Sequence, residues 1–347
     1  MESEASRSGE VGSSERVVIA GDGQMALVLA DLLAFKGTPV TLWCPFAQSA
    51  GELGRTRRSP RLLGFELPPA VVVTPDPGEA FASATVAVNA IPTQYIRATW
   101  SRIAPSVPGG VPVVSVAKGI EVQSLRRPSE ILREVLGGGH GIVAFSGPTI
   151  AAELAKRLPA VMVAASDAMP LAERTQSVFA SPWLRIYTNG DPLGVELAGA
   201  LKNVIAIAAG IIDGVGLGSN AKSALLARGL VEMVRFGTAV GAKADTFFGV
   251  AGVGDLATTC FSPEGRNRSF GESVGRGESI AHLLQEGSGT SVVEGAPTAK
   301  AVHAWAQRLG VTMPIMEAVY AMVFEGLPPK VAVGELMRRS AGAERVG

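Results

Sequence analysis

Three segments of this 347-residue chain place charged side chains among small neighbours, where an ionised group is costly unless it is used. Lys202 stands in the run Glu196-Leu197-Ala198-Gly199-Ala200-Leu201-Lys202-Asn203, which reads as a closely packed helix. A lysine at the rim of a desolvated pocket has a depressed pKa and can act as acid or base. The plain alternative is a lysine that snorkels to water. Lys118, in Lys118-Gly119-Ile120, follows the apolar run Val113 to Val116. That is the carboxyl end of a strand, where ligands bind in open α/β sheets. Its ammonium can orient a carbonyl or a phosphate; otherwise it is an exposed loop lysine. The third segment joins Asp255, in Gly252-Val253-Gly254-Asp255-Leu256, to Gly265-Arg266-Asn267-Arg268. Arg266 with Asn267 makes a fork of donors suited to a phosphate. The competing reading is a solvated basic loop with Asp255 as a helix cap.

A fourth segment carries a nucleotide signal. Gly21-Asp22-Gly23-Gln24-Met25-Ala26 follows the β-branched run Arg16 to Ala20 and opens a helical run through Phe35. In such a turn Gly21 permits the bend, Gly23 lets the backbone approach a pyrophosphate, and Ala26 allows close helix–strand packing. The helix N-terminus offers N–H donors and partial positive charge. A simple glycine turn is the alternative. The acidic residue expected about 20 positions on, at the ribose of NAD, is missing. The second strand ends Trp43-Cys44-Pro45-Phe46, with Glu52, Arg55, Arg57 and Arg58 as the nearest charges. The choice between NAD and NADP stays open.

These groups need elements to hold them. Val40–Trp43, Val71–Val73, Thr85–Ala90, Val111–Val116 and Gly141–Phe145 read as further strands, and Val161–Ala165 and Leu184–Thr188 extend the set. Strands alternating with helices imply a parallel sheet covered on both faces. From Val195 the pattern is helical, clearest in Ala198–Ile212, Ala221–Val240, Ile280–Leu284 and Pro297–Leu309. The expected division is a tail over 1–15, a dinucleotide-binding α/β domain over 16–192 and an all-helical substrate domain over 193–347.

Composition narrows the class. The 31 basic and 31 acidic residues cancel, so no global field draws the chain to nucleic acid or anionic membrane. An anionic ligand must be held locally. Two distant cysteines, Cys44 and Cys260, make neither a disulfide framework nor a zinc site, and a reducing, cytoplasmic compartment is expected. The apolar stretch Val204–Ile212 is too short to span a bilayer. His140, His282 and His303 fall in no catalytic pattern.

Taken in order, the segments resemble the NAD(P)-dependent glycerol-3-phosphate dehydrogenase family of bacterial type, from about Val17 to Glu325. The specific parts are Ile91-Pro92-Thr93-Gln94, Lys118-Gly119-Ile120, Ser146-Gly147-Pro148-Thr149 and Gly194 to Asn203. Gly252 to Leu256, Gly265 to Arg268 and Val293-Glu294-Gly295 follow. The resemblance implies a Rossmann domain followed by a helical domain, with the active site between them, and a homodimer. It implies hydride transfer with NAD or NADP between dihydroxyacetone phosphate and sn-glycerol 3-phosphate, feeding phospholipid synthesis. Lys202 corresponds to the proton donor and acceptor, with Lys118 and Asp255 as its partners. On the same resemblance, Gly147 and Thr149 would help enclose the substrate, and Gly265, Arg266 and Asn267 would hold its phosphate. The resemblance also implies that Gly21, Gly23, Gln24, Met25, Ala26, Lys118, Ala151, Arg266, Val292 and Glu294 meet the dinucleotide.

Three positions depart from the family's pattern. Gln24-Met25 stands where Ser followed by an aromatic is frequent, Cys44 stands for a basic residue, and Gly265 stands for a serine. The last implies weaker substrate binding. Two other readings remain: a β-hydroxyacid or ketopantoate-type reductase, which acts on carboxylates, and a non-catalytic dinucleotide sensor.

Overall fold

A computed structural model describes residues 15–286 and 292–340. Eight strands form one sheet: β1 (Val17–Ala20), β2 (Val40–Trp43), β3 (Val72–Thr74), β4 (Val86–Asn89), β5 (Val113–Ser115), β6 (Ile142–Ser146), β7 (Ala160–Ala165) and β8 (Leu184–Asn189). Their spatial order is β3-β2-β1-β4-β5-β6-β7-β8, so the connection reverses between β1 and β4. That reversal opens a crevice at the strands' carboxyl ends, the place where such sheets bind ligands. Pairing is parallel throughout except between β6 and β7, which is antiparallel. The sheet is thus mostly parallel, as expected, with one antiparallel pair. Only the short helix α6 lies between β6 and β7, and the chain turns back beside β6 instead of crossing over the sheet.

Seven helices accompany the strands: α1 (Gln24–Phe35), α2 (Ala47–Thr56), α3 (Pro77–Phe81), α4 (Thr93–Ile103), α5 (Pro128–Leu136), α6 (Ala151–Ala155) and α7 (Met169–Phe179). Side-chain alternation along β1 sends Val17 and Ile19 into one apolar layer and Val18 and Ala20 into the other. Both faces are therefore buried, which is why these strands read as continuous apolar runs.

After Asn189 the chain is helical: α8 (Pro192–Val215), α9 (Gly218–Ala239), α10 (Ala244–Phe248), α11 (Asp255–Phe261), α12 (Arg266–Gly275), α13 (Ile280–Glu286), α14 (Gly295–Leu309), α15 (Pro314–Phe324) and α16 (Pro329–Arg338). A π-type turn over Val250–Gly254 leads into α11. Asp191 caps α8 by accepting from the Gly194 N–H at 2.9 Å. Helix α8 is 24 residues long, and by length and composition it is apolar enough to cross a membrane. The apolar stretch is thus longer than Val204–Ile212, and its shortness is not what keeps it from a bilayer. Its apolar window is wholly buried inside the protein, so no face is left for lipid.

Residues 1–14 of the expected tail lie outside the described residues. Glu15, counted with that tail, is instead anchored. Its carboxylate accepts from Arg174 Nε and Nη2, both at 2.8 Å, and Arg174 holds it below its ordinary pKa against the effect of burial.

Candidate active site

Lys202 lies in the middle of α8, buried to within 6 % of full enclosure, because small residues on this helix let its neighbours come close. Its Nζ donates to Asp255 Oδ1 at 2.7 Å and to Thr259 Oγ1 at 2.5 Å. Asp255 opens α11, with its carboxylate aimed at α8. Its other oxygen, Oδ2, accepts from Lys118 Nζ at 2.6 Å, and Lys118 also donates to the Gly147 carbonyl at 3.0 Å. One buried carboxylate thus bridges two ammoniums, one from the loop after β5 and one from α8.

The electrostatics follow from that geometry. Burial disfavours the charged form of Lys202 and lowers its pKa to about 8. Asp255 pulls the other way, while the charge of Lys118 adds to the lowering. Burial alone would raise the Asp255 carboxyl, but the two ammoniums hold it below its ordinary value. The triad is therefore an ionised carboxylate, a lysine facing Gly147, and a second lysine able to give up its proton near neutral pH.

Glu294, just before α14, is raised by burial and pulled back by Arg266, Lys118 and Lys202. Its field therefore links Arg266 to the two lysines. Asn267 is buried, and its Oδ1 accepts from the Gly295 N–H at 2.9 Å. That bond leaves the amide NH2 of Asn267 to donate elsewhere. Arg266 is exposed at the first turn of α12, on the rim. The Gly265–Arg268 segment is thus a helix start, not a loop. Gly265 occupies the N-cap position of α12 without a side-chain cap. A Cβ there would lie 3.1 Å from the Thr259 carbonyl oxygen, a tight fit for the serine this position lacks. Thr149 donates to the Gly147 carbonyl at 3.2 Å. Ala151 begins α6, and Val292 precedes Glu294.

The turn after β1 fits a dinucleotide pyrophosphate. Gly21 adopts φ +122°, and a Cβ there would meet the Ala90 carbonyl oxygen at 2.9 Å. A Cβ on Gly23 would meet nothing within 4 Å, so its open side leaves room for a ligand. Helix α1 begins with no side-chain cap and no acid in its first turn, which leaves its first N–H groups to an anion. Ala26 is fully buried against the sheet, Met25 is partly buried, and Gln24 donates from Nε2 to the Arg61 carbonyl at 2.5 Å.

Three features escaped the sequence reading. Thr259 joins the lysine triad because it stands one helical turn after Asp255, a spacing that is legible once Asp255 is placed at a helix start. Asn203 Nδ2 is buried beside Lys202 with no hydrogen-bond partner among the described residues. Asp22, inside the glycine turn, is ion-paired with Arg61 at 2.9 Å, which no local pattern announces.

Residues 16–172 match the family described as NAD-dependent glycerol-3-phosphate dehydrogenase N-terminus, and residues 191–334 match its C-terminus. This chain belongs to the NAD-dependent glycerol-3-phosphate dehydrogenase family. It is 41% identical over 336 residues to the glycerol-3-phosphate dehydrogenase [NAD(P)+] of Geobacter sp. (strain M21), covering 96% of this chain and 100% of that one. It is 42% identical over 332 residues to the Streptomyces avermitilis protein of the same name, covering 95% and 98%. The crystal structure of glycerol-3-phosphate dehydrogenase from Coxiella burnetii superposes with a TM-score of 0.89 at 32% identity, over 94% of this chain and 99% of that one. The enzyme thus shares family, length and fold with these dehydrogenases.

Proposed function

We propose that this enzyme interconverts dihydroxyacetone phosphate and sn-glycerol 3-phosphate with NAD(P), using Lys202 as the proton donor and acceptor. The observation that carries this reading is the Lys118–Asp255–Lys202 bridge at the meeting of β5, α8 and α11, with the Asn267 amide and Arg266 at the start of α12. Bound along the Gly21 turn, the reduced nicotinamide would supply hydride to the substrate's ketone carbon. Arg266 and Asn267 hold the phosphate end, so the gain is mainly orientation. Lys118, tied to Gly147 and Asp255, steadies the polar network around the carbonyl oxygen. Lys202 passes its Nζ proton to that oxygen as it becomes an alkoxide, and in the reverse direction neutral Lys202 takes the proton back. Asp255 remains ionised throughout and stabilises whichever ammonium is present.

The dinucleotide contacts assigned to Gln24, Met25, Ala151, Val292 and Glu294 belong to the same proposal. So does the division into residues 16–192 and 193–347, supported by the sheet ending at Asn189 and α8 starting at Pro192. A homodimer rests on the family resemblance alone. The cytoplasmic placement rests on the two buried, unpaired cysteines, which suit a reducing compartment.

The test is nicotinamide oxidation by the purified protein with dihydroxyacetone phosphate, beside ketopantoate and other 2-keto acids. Turnover confined to the phosphorylated ketone is the expected result. Preference for the carboxylates would replace the assignment with the ketopantoate-type reading, and binding without turnover on any of them would leave the sensor.

A further inference from the structure

The adenosine ribose of a dinucleotide on such a sheet lies beyond the carboxyl end of the second strand, where an acidic residue ordinarily accepts from the 2′-hydroxyl. Here β2 ends in Trp43 and Cys44, both buried within the apolar layers, and neither can do this. A carboxylate reaches the same corner from the neighbouring strand. β1 pairs with β2 in register, Ala20 opposite Trp43, and Asp22 follows two residues later. Its side chain is 9% exposed and turns toward the start of α2. Asp22 Oδ2 accepts from the Ser49 hydroxyl and from Arg61 Nη1, the latter at 2.9 Å. Ser49 and Arg61 line a cavity of about 290 Å³ with Phe46, Gln48 and Arg58.

We propose that Asp22 is the cofactor-selecting residue of this enzyme and that it favours NADH over NADPH. The proposal rests on the dinucleotide reading above. Two effects act in the same direction. A carboxylate at this corner accepts from a ribose 2′-hydroxyl and repels a 2′-phosphate. It also occupies the guanidinium of Arg61, the group best shaped to take that phosphate in a bidentate grip. Gln24 reinforces the arrangement, since its donation to the Arg61 carbonyl ties that residue's backbone to the first residue of α1. Arg61 in turn offsets the negative charge that Asp22 would otherwise present to the pyrophosphate.

The test uses the full-length protein and two readouts: direct titration with NADH and with NADPH, followed by nicotinamide fluorescence, and kcat/KM for each with dihydroxyacetone phosphate. The wild type is expected to prefer NADH in both. Asp22→Ala should move the ratio toward NADPH by about tenfold or more, the worth of one charge-assisted hydrogen bond. Asp22→Ala with Arg61→Ala should lose the part of the NADPH gain that the freed guanidinium supplies and keep the part that comes from removing the carboxylate's repulsion. Asp22→Asn removes the charge while keeping an oxygen for Ser49, so it should shift the ratio in the same direction and serves if the alanine variant fails to fold. A wild-type preference for NADPH, or a ratio unmoved by Asp22→Asn, overturns the proposal. The titrations need no keto substrate. Absent turnover would therefore count against the reaction alone, while unequal binding would still report on Asp22.

Discussion

Lys202 shows how far one side chain's chemistry depends on what surrounds it. Its position in a helix of small residues was legible, because such a run allows close packing on several sides. What could not be read was the carboxylate that meets it, since Asp255 lies 53 residues away. With a pKa of about 8, lowered by burial, Lys202 loses its proton as pH rises through that value. Reduction needs the protonated form, so kcat/KM with dihydroxyacetone phosphate should fall above about pH 8. Oxidation of glycerol phosphate needs the neutral form and should rise over the same range. Parallel profiles in the two directions would contradict this assignment. Lys202→Ala should reduce turnover about 10²- to 10⁴-fold, the usual worth of a positioned acid. Its cofactor affinity should change far less, and equal losses in both would make Lys202 a binding residue.

At the scale of elements, the proposed phosphate fork depends on how closely α12 lies against α8. Gly210 and Gly214 on α8 face Gly271 and Gly275 on α12, each pair one helical turn apart. A Cβ on Gly210 would come within 1.9 Å of the Arg268 carbonyl oxygen, and one on Gly271 within 2.0 Å of the Ile207 carbonyl oxygen. Backbone cannot yield as a flexible side chain can, so no larger residue fits at this spacing. Asp213 adds a charge lock by accepting from Arg268 at 2.8 Å and Lys222 at 2.7 Å. The prediction is that Gly271→Ala destabilises by about 3 kcal/mol, the upper end for overpacking. Because Arg266 and Asn267 ride on the first turn of α12, it should also raise KM for the phosphorylated substrate more than for the cofactor. Thermal denaturation and steady-state kinetics on the same sample check both parts. An unchanged melting temperature would mean that the two helices tolerate separation. The four glycines stand in the sequence, but nothing in their neighbouring residues shows that the two pairs face each other.

Across the whole molecule, the sheet and the helical bundle are joined by a buried clasp at Glu196, on the same helix as Lys202. Glu196 on α8 accepts from Arg127 Nη1 at 2.5 Å, from the Ser129 N–H at 2.7 Å and from the Ser129 hydroxyl at 2.6 Å. Burial raises its pKa, and Arg127 and Ser129 pull it back. Arg127 and Ser129 flank the start of α5, so the clasp fixes α8 to the sheet that carries Lys118. Glu196→Ala would leave Arg127 largely enclosed without this partner and strand the Ser129 donors. We expect a loss of about 3 kcal/mol or more, as for other broken buried pairs, read as a lower midpoint in urea with unchanged slope. A variant as stable as wild type would show that this clasp adds nothing to the hold between the sheet and the helical bundle.

Local order determined much of this protein. The alternation of β-branched runs with helical periods, the glycine turn after β1 and the small-residue helix around Lys202 are all written in neighbouring residues, because backbone sterics and burial act over a few positions. The order of its segments was also enough to show the family resemblance. Contacts between distant segments were settled only by the tertiary structure. The reversed pairing of β6 and β7, the bridging of Lys118 and Lys202 by one carboxylate, the addition of Thr259 and the meeting of Asp22 with Arg61 each bring together groups whose energies depend on separation in space and on exclusion of water. A one-dimensional pattern records neither quantity. Asp22 in a glycine turn and Arg61 in a basic loop become one ion pair only when β1 and β2 lie side by side.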